Sequence, residues 1–234
     1  SELPDGPGSD PGLERDIYVD EQHPYSSGAV YALAEGSPLS WLRFSAGARV
    51  DIYSTIGAVV VPRAAVIFKP TPGHALKLMG GRAFRAPSIY EQFYNDRGVS
   101  QASAVDPARD LHLDPESVYS AEIEYSARFL RDWVALGAVH TSFIEGIVDL
   151  AQDAGDPDVV RYENSRSPAL VVGGDVELRR EWRRGLMFAA SYGYQRAQTL
   201  DAAVANPLLP NVPEHLASVR CVVPIFKEIA SLGF

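Results

Sequence analysis

Residues 76–94 read L-K-L-M-G-G-R-A-F-R-A-P-S-I-Y-E-Q-F-Y, and the fold is decided by how that stretch begins and ends. It opens as an alternating strand and breaks at Arg85-Ala86-Pro87. Pro87 has no N–H to give a ladder, and its ring pushes Ala86 to an extended conformation, so the strand ends there. A long polar loop follows, and Leu113-Asp114-Pro115-Glu116 opens the next strand. In that strand Tyr119, Ala121, Ile123, Tyr125, Ala127 and Phe129 share one face, while Ser120, Glu122, Glu124, Ser126 and Arg128 share the other. A one-residue slip would exchange the two sets, so the alternation fixes the register.

The same period of two recurs along the chain, and helical periodicity is almost absent. Leu42, Phe44, Ala46, Ala48 and Val50 oppose Arg43, Ser45, Gly47, Arg49 and Asp51; Gly174, Val176 and Leu178 oppose Asp175, Glu177 and Arg179. The spacing predicts strands over 26–35, 41–52, 60–69, 74–85, 117–130, 133–148, 168–182, 185–198 and 214–226. Globular strands centre near about five or six residues, whereas a tilted membrane strand needs about nine to eleven. The predicted segments belong with the second kind. Short turns are expected at Gly36-Ser37-Pro38, Pro70-Thr71-Pro72-Gly73, Arg131-Asp132 and Trp182-Arg183-Arg184-Gly185. Between them fall longer loops over 52–60, 86–116, 149–165 and 199–213. Short periplasmic turns alternating with long extracellular loops is the bacterial outer-membrane arrangement. Trp41, Trp133 and Trp182, all the tryptophans of the chain, lie at the short-turn end, as an aromatic belt would require. The expected fold is therefore all-β, an antiparallel transmembrane β-barrel segment.

Composition is consistent with this reading and excludes others. No apolar run is long enough for a transmembrane helix, and no signal peptide opens the chain. The net charge of -9 argues against nucleic acid, which needs a basic footprint. The single cysteine, Cys221, forms no intrachain disulfide. Residues 1–25 hold seven acids against one base, Arg15, and read as an acidic, Pro/Gly-rich extracellular loop ahead of a barrel portion over 26–234. The predicted strands are too few to close a large barrel, so a contiguous piece of a larger one is expected.

The order of motifs resembles the barrel of TonB-dependent outer-membrane receptors. Ala46-Gly47-Ala48-Arg49-Val50-Asp51-Ile52-Tyr53-Ser54 looks like that family's strand end, and Val61-Pro62-Arg63-Ala64-Ala65-Val66 like its next strand start. Then come G-R-A-F-R-A-P (81–87), L-x-P-E-S (113–117), and Tyr162-Glu163-Asn164 followed by Gly174–Leu178. Ser191–Ala197 and Val212–Leu216 complete the series in the same order. The resemblance implies a Gram-negative outer-membrane importer of a large scarce nutrient such as a ferric siderophore or cobalamin. It also implies energy supplied by the TonB complex and a plug domain in the lumen. Neither the plug domain nor the TonB-engaging motif is found in this sequence.

Chemistry-bearing residues are few. The five histidines have no metal-ligand spacing, no G-x-S-x-G elbow is present, and no cofactor is implied; an enzyme is not expected. Arg82 and Arg85, near Glu91, suit either a rim salt-bridge network with lumen acids such as Glu122 and Glu124 or direct ligand contact. Tyr90, Phe93, Tyr94, Asn95 and Arg97 open the longest loop, and aromatic rings with polar handles suit a bulky amphipathic ligand. With Arg85 they are the candidate ligand contacts. Asp153, Asp156 and Asp158 offer closely spaced oxygens, but turn chemistry explains them equally well, so no metal site is assigned. Two other functions fit the alternation alone: a passive porin-like barrel and a soluble β-sandwich that binds carbohydrate.

Overall fold

The computed structural model describes residues 24–96, 99–130, 132–182, 186–201, 203–226 and 230–233. The acidic segment expected over residues 1–25 lies almost wholly outside them, as does Arg97.

Ten strands form one antiparallel sheet: β1 (Ser27–Leu39), β2 (Leu42–Tyr53), β3 (Gly57–Phe68), β4 (His74–Arg85), β5 (Glu116–Phe129), β6 (Trp133–Glu145), β9 (Ala169–Glu181), β10 (Met187–Thr199), β11 (His215–Phe226) and β12 (Ala230–Gly233). They pair in chain order, and β6 pairs with β9 because β7 (Val148–Gln152) and β8 (Val160–Asn164) form a separate two-stranded ribbon between them. The sheet is open, with β1 and β12 at its edges.

Register sets the two faces. Val66 pairs with Leu78, Leu78 with Ile123, and Ile123 with Val139. Paired residues share a face, so this apolar row runs across four strands. It is exposed throughout: Ile123 at 47% and Val139 at 58%. On the opposite face Lys77 pairs with Glu124, and Glu122 with His140. Lys77 Nζ lies 2.5 Å from Glu124, and His140 Nδ1 lies 3.5 Å from Asp175. Glycine makes room there. A Cβ on Gly173 would stand 2.6 Å from the His140 ring, so a side chain at that position would displace it. Tyr119, Ile123, Tyr125 and Phe129 thus lie opposite Glu122, Glu124 and Arg128, as the alternation requires.

No side chain among the described residues is large and fully buried. A soluble sandwich buries its apolar faces between two stacked sheets. Here one sheet presents its apolar face outward, so the sandwich expectation is overturned. The arrangement is that of a barrel wall whose outer face meets lipid.

Three connections differ from expectation. The loop expected over 149–165 is largely the β7–β8 ribbon. The loop expected over 52–60 is only the turn 54–56, because Gly57 to Phe68 is already strand. Gly36-Ser37-Pro38 is not the first turn; the chain reverses at Ser40-Trp41, and the 36–38 stretch is a register shift within β1. Pro38 gives no ladder donor, which a strand at the edge of the described sheet tolerates. Pro62 has a similar effect on β3. The β3–β4 ladder stops at Arg63↔Gly81, and the Arg82 guanidinium donates instead to the Val60 carbonyl (3.2 Å) and the Ser117 hydroxyl (2.8 Å).

Candidate functional site

The connections 86–115 and 146–168 lie at the end of the sheet opposite the short turns that follow β1, β3 and β5, and each carries structure of its own. Helix α1 (Ile89–Phe93) opens the first. Ser88 caps it by accepting the Glu91 N–H (3.1 Å), while Glu91 accepts the Ser88 N–H (2.7 Å). The S-x-x-E spacing is a capping box, which satisfies donors that a helix start otherwise leaves open. The β7–β8 ribbon forms most of the second connection.

Arg85 holds the root of both. Its Nε and Nη2 donate to the two Glu116 oxygens at 2.7 and 2.6 Å, and its Nη1 donates to Glu91 at 2.9 Å. A two-pronged guanidinium–carboxylate pair fixes orientation as well as charge. Glu116 Oε1 also accepts the Val148 N–H at 2.8 Å, so the same carboxylate ties the first residue of β7. Asn164, the last residue of β8, closes the circuit. Its side chain donates to the carbonyls of Asp114 (2.9 Å) and Gly146 (2.7 Å) and accepts the Asp114 N–H (2.7 Å). The segments R-A-P-S-x-x-E, L-x-P-E and Y-x-N are therefore one hydrogen-bonded joint. Arg85 pairs with Glu91 and Glu116, not with Glu122 or Glu124, because register puts Glu116 directly opposite it while Lys77 takes Glu124.

Further out, the two connections are joined again. Gln101 bridges Val160, and the Ala102 N–H and Val160 N–H donate across the seam at 2.9 Å. Arg161, 3% exposed, pairs with the buried carboxylate of Asp153, which Arg109 also approaches at 3.5 Å. Asp153 further accepts the Gly155 N–H (2.7 Å) and Asp156 N–H (3.2 Å), and Asp156 accepts from Asp158 N–H. Asp153 is thus committed to an ion pair and a turn. Among the described residues no cluster of three or more His, Cys, Asp or Glu is arranged to hold a metal.

The described candidate ligand residues, which exclude Arg97, fall on this joint cap. Tyr90, half exposed, lies 4.6 Å from Tyr94 and 6.2 Å from Tyr162, ring centre to ring centre. Tyr162 comes from the second connection and was not singled out in the sequence, although it stands in the Y-E-N segment. Phe93 and Asn95 are half-buried beside Tyr94. Gln92 organises the rest from below: it is buried, donates to Pro87, and its carbonyl accepts from Ala104 and Val105.

Two carboxylates of the cap are held ionised. Burial pushes the Glu91 pKa up, but the Ser88 N–H and the Arg85 guanidinium outweigh it, and the net shift is downward. At Asp96 the Ser100 hydroxyl, then the N–H groups of Gln101 and Ser100, lower the pKa from 3.8 to about 2. A carboxylate whose folded pKa is depressed stabilises the structure above its unfolded value and loses that effect as pH falls through the folded one. The ties from Asp96 to Ser100 and Gln101 should therefore hold at pH 5 and loosen between pH 3.8 and about 2. Amide exchange at Ser100 and Gln101 should rise over that window. Protection unchanged down to pH 2 would mean that Asp96 does not hold these two amides.

A family profile described as "TonB dependent receptor-like, beta-barrel" matches residues 2–223. Among solved structures, the ferric-catecholate import receptor Fiu from K12 E. coli aligns at 14% identity and a TM-score of 0.64, covering 89% of this chain and 33% of that one. The FrpB iron transporter from Neisseria meningitidis aligns at 13% identity and 0.65, with 89% and 32% covered. The copper transporter OprC aligns at 14% and 0.62, with 86% and 32% covered. The chain thus spans about a third of the length of these structures. No match is found among curated proteins.

Proposed function

The chain belongs to the TonB-dependent receptor-like β-barrel family, whose members are barrels of the Gram-negative outer membrane and not enzymes, and on that premise we propose that its two-loop cap is a ligand-contacting surface of an active importer. The observation that carries this reading is the Arg85 joint. It holds two connections against each other and presents Tyr90, Tyr94 and Tyr162 together at the long-loop end. Long connections with their own packing are usually functional, and ring surfaces edged by polar groups suit a bulky ligand. Arg85 acts as a positioning residue here, and Tyr90, Phe93, Tyr94, Asn95 and Arg97 supply the first connection's contacts.

The cargo we propose is a ferric siderophore, cobalamin or a similarly scarce nutrient, with energy supplied through TonB contacts made elsewhere in the receptor. Fiu is an import receptor for ferric catecholates and OprC a copper transporter, so members of this fold serve more than one cargo. A passive porin has no reason to carry this order of motifs, and the matching profile is that of TonB-dependent receptor barrels.

Deleting residues 92–110 in the full-length receptor tests the reading. Uptake should be abolished while the barrel still assembles and runs as a heat-modifiable band. Unchanged uptake after the deletion would place the ligand elsewhere.

A further inference from the structure

The other end of the sheet carries a feature that ligand import does not use. Trp133 pairs with Phe129 on one side and Arg180 on the other, which places all three on the apolar, lipid-facing side. The Arg180 guanidinium lies over two indoles, 4.3 Å from the centre of Trp182 and 5.2 Å from that of Trp133. Phe129 stacks on Trp133 at 6.4 Å with the planes 10° apart. Among the described residues no carboxylate pairs with Arg180, and its Nε is buried without a hydrogen-bond partner.

An arginine on the lipid side is costly at mid-membrane and stable only where its head reaches the interface. The short turns put Arg180 at the periplasmic interface, where the neighbouring groups are phospholipid heads. The two indoles hold the cation's face and leave donors on its edge for an acceptor. Phosphate oxygens are the acceptors that this position supplies, and a guanidinium matches them.

Charge selects among lipid heads. Register places Arg128 and Arg179 on the polar face, so the charge that a lipid head meets here is that of Arg180, which has no carboxylate partner among the described residues. A zwitterionic head would bring its ammonium beside this unpaired cation, whereas an anionic head would not. We infer that Arg180, Trp133 and Trp182 form a binding site for the phosphate of an anionic phospholipid in the periplasmic leaflet.

The test is native mass spectrometry of the full-length receptor in detergent, titrated separately with phosphatidylglycerol, phosphatidylethanolamine and inorganic phosphate. The site predicts a retained phosphatidylglycerol adduct and weaker phosphatidylethanolamine binding. Arg180→Gln should cut the phosphatidylglycerol-bound fraction about fivefold, one basic residue's share of surface attraction. Trp182→Leu, which keeps the charge but removes a ring, should weaken the adduct in the same direction. Arg43→Gln, on the polar face, should leave it intact. Equal adducts with both lipids, an adduct unchanged in Arg180→Gln, or displacement by inorganic phosphate would each overturn the assignment. If Arg180→Gln fails to assemble, the Trp182→Leu titration decides by the same criteria.

Discussion

Replacing Asp153 with alanine in the full-length receptor should loosen the whole two-loop cap. Arg161 is 3% exposed and has Asp153 as its ion-pair partner, and removing one member of a buried pair leaves an uncompensated charge. Such losses run to about 3–5 kcal/mol, because the remaining ion has been stripped of water without recompense. The effect should be local. Amide exchange should speed at Ala102 and Val160, whose hydrogen bonds join the connections, and stay slow in β5 and β6. Replacing both partners, Asp153→Leu with Arg161→Met, should recover part of the protection, since an apolar pair carries no stranded charge but gives the Gly155 and Asp156 N–H groups no acceptor. Equal exchange in the wild type and the single variant would mean that the pair holds nothing together.

A lysine at Ile123 should be the most damaging single change in the wall. Ile123 sits mid-strand in the apolar row between Leu78 and Val139. A lipid-facing lysine near the bilayer midplane costs about 2–4 kcal/mol, falling toward zero at the interfaces. Glu122→Lys, one residue away on the polar face, should cost far less. Equilibrium refolding of the full-length receptor into lipid vesicles would compare the two. If Glu122→Lys proved the worse, the two faces would have to be exchanged.

The strands could be read from the sequence because lipid and lumen make opposite demands on alternate residues, as at Tyr119 to Arg128. Where both faces accept apolar side chains the signal fails. Ala58-Val59-Val60-Val61 shows no alternation, and Val59 is buried beside β2, so the sequence pattern does not mark where β3 starts or how short the turn before it is. β7 and β8 are illegible for another reason. Each is five residues long, and their strongest ties, Asp153 to Arg161 and Glu116 to Val148, are invisible to any local pattern. Helix α1 is different, since Ser88 and Glu91 spell out its capping box and could have announced it. The Arg85 joint was half legible. Glu91 is near in sequence, whereas Glu116 becomes a partner only through strand register. Tyr162 joins Tyr90 only because the two connections fold together, which no spacing along the chain reveals.

The proposed importer meets its ligand through both connections on one face. Binding to whole cells by the full-length receptor, measured for its transported ligand with Tyr90→Ala, Tyr162→Ala and the double variant, tests it most directly. Aromatic residues anchor interfaces strongly, so each single change should weaken binding by about tenfold or more. Because the rings touch, the double change should cost less than the sum of the singles. Wild-type affinity in both single variants, with the barrel assembled normally, would contradict the account.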